Sequence, residues 1–263
     1  MSATPTKLLA GKWALVTGSS GGIGAAIARE LAAAGANLVL HGNRHPESAG
    51  QLADELRRQQ VTVHVVLHDF ANSAGLDAFV EKVWQIAPLD ILANSAGVDV
   101  LTGPAGEWSF SKKLSALWAV DVEATIHLSR ALGKQMKDRG AGSIVNIGWS
   151  LAEIGMAGES GEYFATIKGA VMAFSRSLAK SLAPYVRVNC VAPGWIQTKW
   201  GETASQYWQE RAASESLVGR WGSPEDVARV VRFLTSPEAA FVNGQIINVD
   251  GGMGGSSEQG DWD

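Results

Sequence analysis

A phenol, an ammonium group and a carboxylate are the side chains of this chain best suited to moving a proton. The stretch Glu162-Tyr163-Phe164-Ala165-Thr166-Ile167-Lys168 sets a tyrosine five residues before a lysine. A phenol with a pKa of about 10 works as an acid or base near neutrality only beside a cation, and Lys168 is the cation at hand. The spacing is awkward for that role. On a regular helix five residues turn about 500°, leaving Tyr163 roughly 140° from Lys168, whereas Phe164 is only about 40° away. A π-bulge, or a helix that begins after Tyr163, would bring the phenol round. Asp121, in Ala119-Val120-Asp121-Val122, is a carboxylate on an apolar helix face and needs a partner, for which Lys168 is a candidate. Glu153, Glu159 and Glu162 are near in sequence. Each is a solvated loop charge unless apolar surroundings raise its pKa and let it serve as an acid.

A second kind of chemistry is written in Thr17-Gly18-Ser19-Ser20-Gly21-Gly22-Ile23-Gly24. Glycines allow a tight turn and close approach to a pyrophosphate, and the N–H groups of a following helix supply partial positive charge. The context supports this reading, because a strand-like run precedes the loop and an amphipathic run follows it. After the next strand comes His41-Gly42-Asn43-Arg44-His45, with no acid before Glu47. An acid there would accept a ribose 2′-hydroxyl, whereas a cation such as Arg44 pairs with a 2′-phosphate. NADP(H) is therefore favoured over NAD(H), with Asn43 and Arg44 at the 2′-position.

These groups need a scaffold, and the hydrophobic pattern provides one. Apolar runs of strand length occur at Trp13–Thr17, Asn37–Leu40, Val61–Leu67, Leu89–Ala93, Ser143–Ile147, Val186–Val191 and Gln245–Val249. Helical spacing fills the intervals at Ile23–Ala34, Ala49–Gln60, Leu76–Ile86, Leu114–Lys137, Ile167–Ala183 and Glu225–Leu234. Continuous apolar strands alternating with helices predict an α/β fold, a single Rossmann-type doubly wound domain over residues 1–253. Its seven-stranded parallel sheet carries helices on both faces, with ligands at the carboxyl ends of the strands. Residues 254–263 read as a loose tail.

Composition narrows the function classes. The chain has 263 residues, 46% hydrophobic and 18% charged, with a net charge of −4. No run of like charge suggests nucleic acid or an anionic membrane, and no apolar run approaches the length of a membrane span. Met1–Ala10 is too short and polar for a signal peptide, so the expectation is a cytoplasmic protein acting on a small molecule. The one cysteine, Cys190, lies in an apolar run and excludes an intrachain disulfide. No metal site is expected.

Over about residues 8–253 the chain resembles the classical short-chain dehydrogenase/reductase family, most closely the 3-oxoacyl-(acyl carrier protein) reductase type. Thr17-x-x-x-Gly22-Ile23-Gly24 matches its phosphate loop, Asp69 its adenine-contacting acid, and Asn94-Ser95-Ala96-Gly97 its Asn-Asn-Ala-Gly segment. Asn189-Cys190-Val191-Ala192-Pro193-Gly194-Trp195-Ile196-Gln197-Thr198 is similar to its Pro-Gly turn, and Gly244-Gln245 and Asp250-Gly251-Gly252 also fit. The resemblance implies cofactor contacts at Gly18, Ser19, Ser20, Gly22, Ile23, Gly24, Asp69, Phe70, Asn94, Ala96, Gly97, Lys168, Pro193, Gly194, Ile196 and Thr198. It also implies hydride transfer to a carbonyl or from a secondary alcohol, with a tyrosine as proton donor, a lysine beside it and on the ribose, a serine on the carbonyl oxygen and an asparagine supporting a water relay.

The catalytic positions depart from that pattern. The family's serine falls on Trp149, with Ser150 one residue late, and its tyrosine on Phe164, with Tyr163 one residue early. Its asparagine aligns with Asp121, and Lys168 alone is plainly kept. Either Ser150 and Tyr163, thirteen residues apart, form a shifted block that backbone bulges restore, or Trp149 and Phe164 occupy the old positions. The first reading keeps Tyr163, Lys168, Ser150 and Asp121 as the catalytic set; the second leaves an unconventional acid, or an NADP(H)-binding pseudoenzyme serving as sensor or assembly partner. The resemblance also implies a lid at about residues 195–218 and a tetramer or dimer. Trp195, Trp200, Tyr207 and Trp208 in that lid, with Trp149, suggest a flat apolar pocket for a bulky or aromatic substrate. Packing of the lid, or a subunit contact, is the other account of these rings.

Overall fold

The computed structural model describes residues 7–43 and 46–253. The seven apolar runs pair as one parallel sheet, in the order β3-β2-β1-β4-β5-β6-β7. The strands are β1 (Trp13–Thr17), β2 (Asn37–Gly42), β3 (Val63–Leu67), β4 (Ile91–Asn94), β5 (Gly142–Ile147), β6 (Val186–Pro193) and β7 (Ile246–Val249). Strand order reverses between β1 and β4, whose last residues Thr17 and Asn94 are in register. Chains leaving these two strands must diverge, and the crevice between them is where such sheets bind ligands.

Side chains alternate across the sheet and so divide the core in two. Ala14, Val16, Leu38 and Leu40 pack with helices α1 (Gly22–Ala33), α2 (Pro46–Arg57) and α10 (Pro224–Thr235). Leu15, Val39, Leu92 and Ile144 face α3 (Leu76–Ile86), α5 (Ala124–Arg139) and α7 (Glu159–Leu182). The N-terminus of α10 is closed by a capping box between Ser223 and Asp226.

Helix α2 lies three residues earlier at each end than the pattern at Ala49–Gln60, and two further differences from the sequence pattern bear on the site. The apolar run at 114–137 is broken into α4 (Phe110–Leu117), a π-helical turn (Trp118–Glu123) and α5. Helix α7 starts at Glu159, eight residues before the expected Ile167, because polar Glu159 and Glu162 suit a first turn and mask its period. Short helices α6 (Leu151–Ile154), α8 (Lys199–Thr203) and α9 (Gln206–Ser214) carry too few apolar repeats to register as periodic. No described helix is long and apolar enough to cross a membrane.

Buried polar side chains tie the second core layer to the sheet. Asn94 Nδ2 donates to Ser129 Oγ and to Asn146 Oδ1, both at 2.8 Å, and Asn146 Nδ2 donates to Ser175 Oγ at 2.8 Å. These groups link β4, β5, α5 and α7, and Asn146 is fully buried. Truncating it strands partners that water cannot reach. Asn146→Ala is expected to cost about 2–3 kcal/mol, read as a lower urea midpoint at unchanged m-value.

Candidate active site

Strand β1 ends in a turn that only glycine permits. Gly18 has φ +65°, and a Cβ there would lie 2.7 Å from Ala96 Cα. A Cβ on Gly24 would overlap the Gly18 carbonyl oxygen. Thr17 Oγ1 accepts from the N–H groups of Ser95 and Ala96, each at 3.0 Å, so the loops after β1 and β4 are stitched together. Gly21 caps α1 in an extended conformation without any side-chain hydrogen bond, and no acid stands in the first turn. The leading N–H groups of a twelve-residue helix are thus left for an anion. Ser19 is turned inward, its Oγ donating to the His41 carbonyl at 3.1 Å. Thr198 stands against the other side of the loop, 3.6 Å from where a Gly22 Cβ would be.

His41, at the end of β2, was not singled out by the sequence pattern. Its Nδ1 accepts the Gly18 N–H at 3.1 Å while Nε2 lies 3.0 Å from the His68 carbonyl, which fixes a neutral ring protonated on Nε2. The ring stacks on Phe70 at 3.9 Å and meets Phe79 edge-on. Burial, offset in part by the His68 carbonyl, lowers its pKa to about 4. Nearby, Asn43 Nδ2 donates to Asp69 Oδ1 at 3.0 Å. Arg44 lies outside the described residues.

The proton-moving candidates do not come together as a set. Lys168 Nζ lies 2.8 Å from Asp121 Oδ2, and Asp121 Oδ1 accepts the Val98 N–H at 3.1 Å. Asp121 is 4% exposed and Lys168 17%, so the ammonium is the member of the pair that reaches the crevice. Asp121 sits in the π turn. Tyr163 lies on uninterrupted α-helix, and neither device that would swing it toward Lys168 is present: α7 begins before it, and the π turn belongs to the facing segment. Its ring is buried among Val100, Leu117, Val122, Ile167 and Val171, 5.9 Å from the Phe110 ring. Burial first, and then the charge of Glu159, push its pKa above the ordinary phenol value.

Phe164, one turn before Lys168, takes the position on that helix face instead. Trp149 meets it edge to face at 6.1 Å. Ser150 Oγ is buried with no hydrogen-bond partner, and its N–H donates to the Pro193 carbonyl at 2.9 Å. Glu153, Glu159 and Glu162 are exposed, and Glu153 faces Arg176 at 3.4 Å. Cys190 is buried with its thiol pushed up to about 12 by desolvation, which makes it inert.

Around this edge stand five tryptophans: Trp149, Trp195, Trp200, Trp208 and Trp221 pack in one cluster with Leu151, Met156 and Met253. Trp195 Nε1 donates to Glu215 Oε2 at 2.7 Å, Glu215 pairs with Arg211, and the Arg211 guanidinium stacks 5.1 Å from Trp208 and 5.7 Å from Trp195. Trp221 was missed because it lies beyond residues 195–218; the loop hydrogen bond from Gly222 N–H to the Trp195 carbonyl brings it in.

Residues 18–254 match the family model described as enoyl-(acyl carrier protein) reductase. This chain belongs to the short-chain dehydrogenase/reductase family. It is 35% identical to a 3-oxoacyl-(acyl-carrier-protein) reductase of Aquifex aeolicus over 93% of its own length and 98% of the relative's. It is also 35% identical to a galactitol 2-dehydrogenase of Cereibacter sphaeroides, over 93% and 95% of the two chains. Among solved structures, a short-chain dehydrogenase of Burkholderia cenocepacia in complex with NADP superposes with a TM-score of 0.84 at 32% identity, covering 93% and 98% of the chains.

His41 gives this family member an acid-sensitive element. A histidine whose folded pKa lies below the unfolded value of about 6.5 stabilises the fold fully above 6.5, and that contribution is lost as pH falls toward 4. The denaturation midpoint should therefore drop between pH 6.5 and 4, through a contribution of at most about 3 kcal/mol. His41→Asn, which can accept from Gly18 N–H but does not titrate, should flatten that slope.

Proposed function

We propose that the protein is an NADP(H)-dependent oxidoreductase acting on a bulky, flat substrate, at a site that supplies no tyrosine hydroxyl. The observation that carries this reading is the pairing of an uncapped, glycine-lined α1 N-terminus with a lysine that reaches the same crevice. The backbone N–H groups at Ser20, Gly22, Ile23 and Gly24 would hold the diphosphate, while Gly18 and Ser19, whose N–H groups are bonded to His41, would shape the turn beneath it. Asn43 and Arg44 would meet the 2′-phosphate, and Asp69 and Phe70 the adenine. Asn94, Ala96, Gly97 and Lys168 would line the nicotinamide ribose, and Pro193, Gly194, Ile196 and Thr198 the carboxamide. When bound, the dinucleotide supplies or takes up a hydride. The absence of an acid after β2 and the NADP seen in the related Burkholderia structure support NADP(H).

The protein's own contribution is orientation and exclusion of water. Trp149, Phe164 and the lid tryptophans offer flat apolar walls. Of the catalytic candidates, Lys168 is the one that faces the crevice, paired with Asp121, while Tyr163 is withdrawn into the core. For the family's carbonyl and secondary-alcohol chemistry the proton would pass from Lys168 or from water. The half-buried helix face lined by Leu114, Ser115, Trp118 and Ala119, with Trp118 48% exposed, supports assembly with a second copy.

A second reading, a dinucleotide-binding protein without turnover, is favoured by Phe164 standing one helical turn before Lys168, with Tyr163 buried in the core. Titration with NADPH, followed by energy transfer from tryptophan, together with turnover on a panel of aromatic ketones, imines and enones, separates the two. Lys168→Ala should weaken NADPH binding about tenfold, the worth of one charge-assisted hydrogen bond, and should lower turnover at subsaturating NADPH. NADPH binding without turnover on any panel member would leave only the second reading.

The geometry also dictates how a hydroxyl could be restored. Phe164→Tyr adds the phenol but leaves Asp121 cancelling the field that would acidify it. Phe164→Tyr alone should give little ketone reduction, and Phe164→Tyr with Asp121→Asn at least about tenfold more, a coupling of about 1.4 kcal/mol or greater.

A further inference from the structure

We propose that the acceptor is a cationic C=N bond, an iminium flanked by an aromatic ring, rather than a carbonyl; this deepens the reading of the site as an NADPH-dependent oxidoreductase and rests on it. Reduction of a carbonyl leaves negative charge on oxygen, so the site must provide a proton, a hydroxyl donor and positive potential. The crevice beside Lys168 provides these poorly. Its neighbour on the helix is Phe164, the ring packed on Phe164 is Trp149, and the one tyrosine in reach of that turn is buried among Val100, Leu117 and Ile167. Ser150 Oγ is shut away from solvent. Asp121, 2.8 Å from Lys168, brings the pair to zero net charge.

Each of those features suits an iminium. Hydride delivered from NADPH to the iminium carbon forms a C–H bond while the C=N π pair withdraws onto nitrogen. The product is a neutral amine, NADP+ remains, and no proton is taken from the protein. A lysine neutralised by a buried carboxylate no longer repels a cation. Aromatic faces attract one, and the cluster containing Trp149 already holds a cation in this way, with the Arg211 guanidinium over Trp208 and Trp195.

The test compares two probes of similar shape, N-methyl-3,4-dihydroisoquinolinium, which is permanently charged, and 1-tetralone, which is neutral. Binding to the NADP+ complex is followed by tryptophan quenching, and reduction by NADPH consumption and recovery of the amine or alcohol. The expected result is binding of the iminium at least tenfold tighter than the ketone, with reduction of the iminium above its rate with free NADPH. Asp121→Asn should weaken iminium binding about tenfold more than ketone binding. Trp149→Leu, which keeps the ion pair, should shift the preference in the same direction if Asp121→Asn does not fold. Equal binding of the probes, or equal losses in the variants, overturns the proposal. Reduction of tetralone alone also overturns it while leaving the oxidoreductase reading in place, whereas NADPH binding with neither probe nor any other acceptor reduced removes both.

Discussion

The Asp121–Lys168 pair is the interaction around which the rest of the site is arranged. It joins three segments that meet nowhere else through side-chain charge: the π turn before α5, the middle of α7, and the loop after β4 through Val98 N–H. A carboxylate this deeply buried costs several kcal/mol to desolvate unless each oxygen has a partner. Here both do, and the cost of removing one member would exceed the gain from having the pair. Gly97 belongs to the same arrangement, since a Cβ on it would come within 2.9 Å of Asp121 Oδ2. The extra residue of the π turn sits in the segment that carries the carboxylate.

Much of the scaffold was legible because parallel strands buried on both faces must be apolar throughout. All seven runs are strands of the sheet, and the glycine turn stands between β1 and α1. Helix period alone was less informative where it mattered most. The start of α7 was hidden by Glu159 and Glu162, and with it the fact that Tyr163 lies within continuous helix. Helical spacing puts Phe164 rather than Tyr163 on the face of Lys168, and the need of a carboxylate on an apolar face for a partner made Lys168 the candidate that Asp121 meets. His41 could have drawn attention as a polar residue closing an apolar strand, but its role depends on Gly18, twenty-three residues away in sequence. Contacts between residues so far apart leave no period to read.

The aromatic wall and the ion pair answer different physical needs. Trp195, with its N–H satisfied by Glu215, can be almost wholly buried without an orphan donor, and Arg211 closes the same group of rings from outside. Gln209 Nε2 donates to the Gly201 carbonyl and Trp221 Nε1 to the Gln209 carbonyl, so α8, α9 and the segment at Trp221 hold one another. The segment from α8 to Trp221 is therefore cross-linked by hydrogen bonds of its own.

Thr198 extends that arrangement to the phosphate loop. It begins the segment leading into α8, yet its methyl group stands against Gly22 of the phosphate loop. A wall that leans on the dinucleotide's own cradle cannot swing wide while the cradle is filled. The start of α8 and the phosphate loop therefore share one boundary, and a displacement of either is felt by the other.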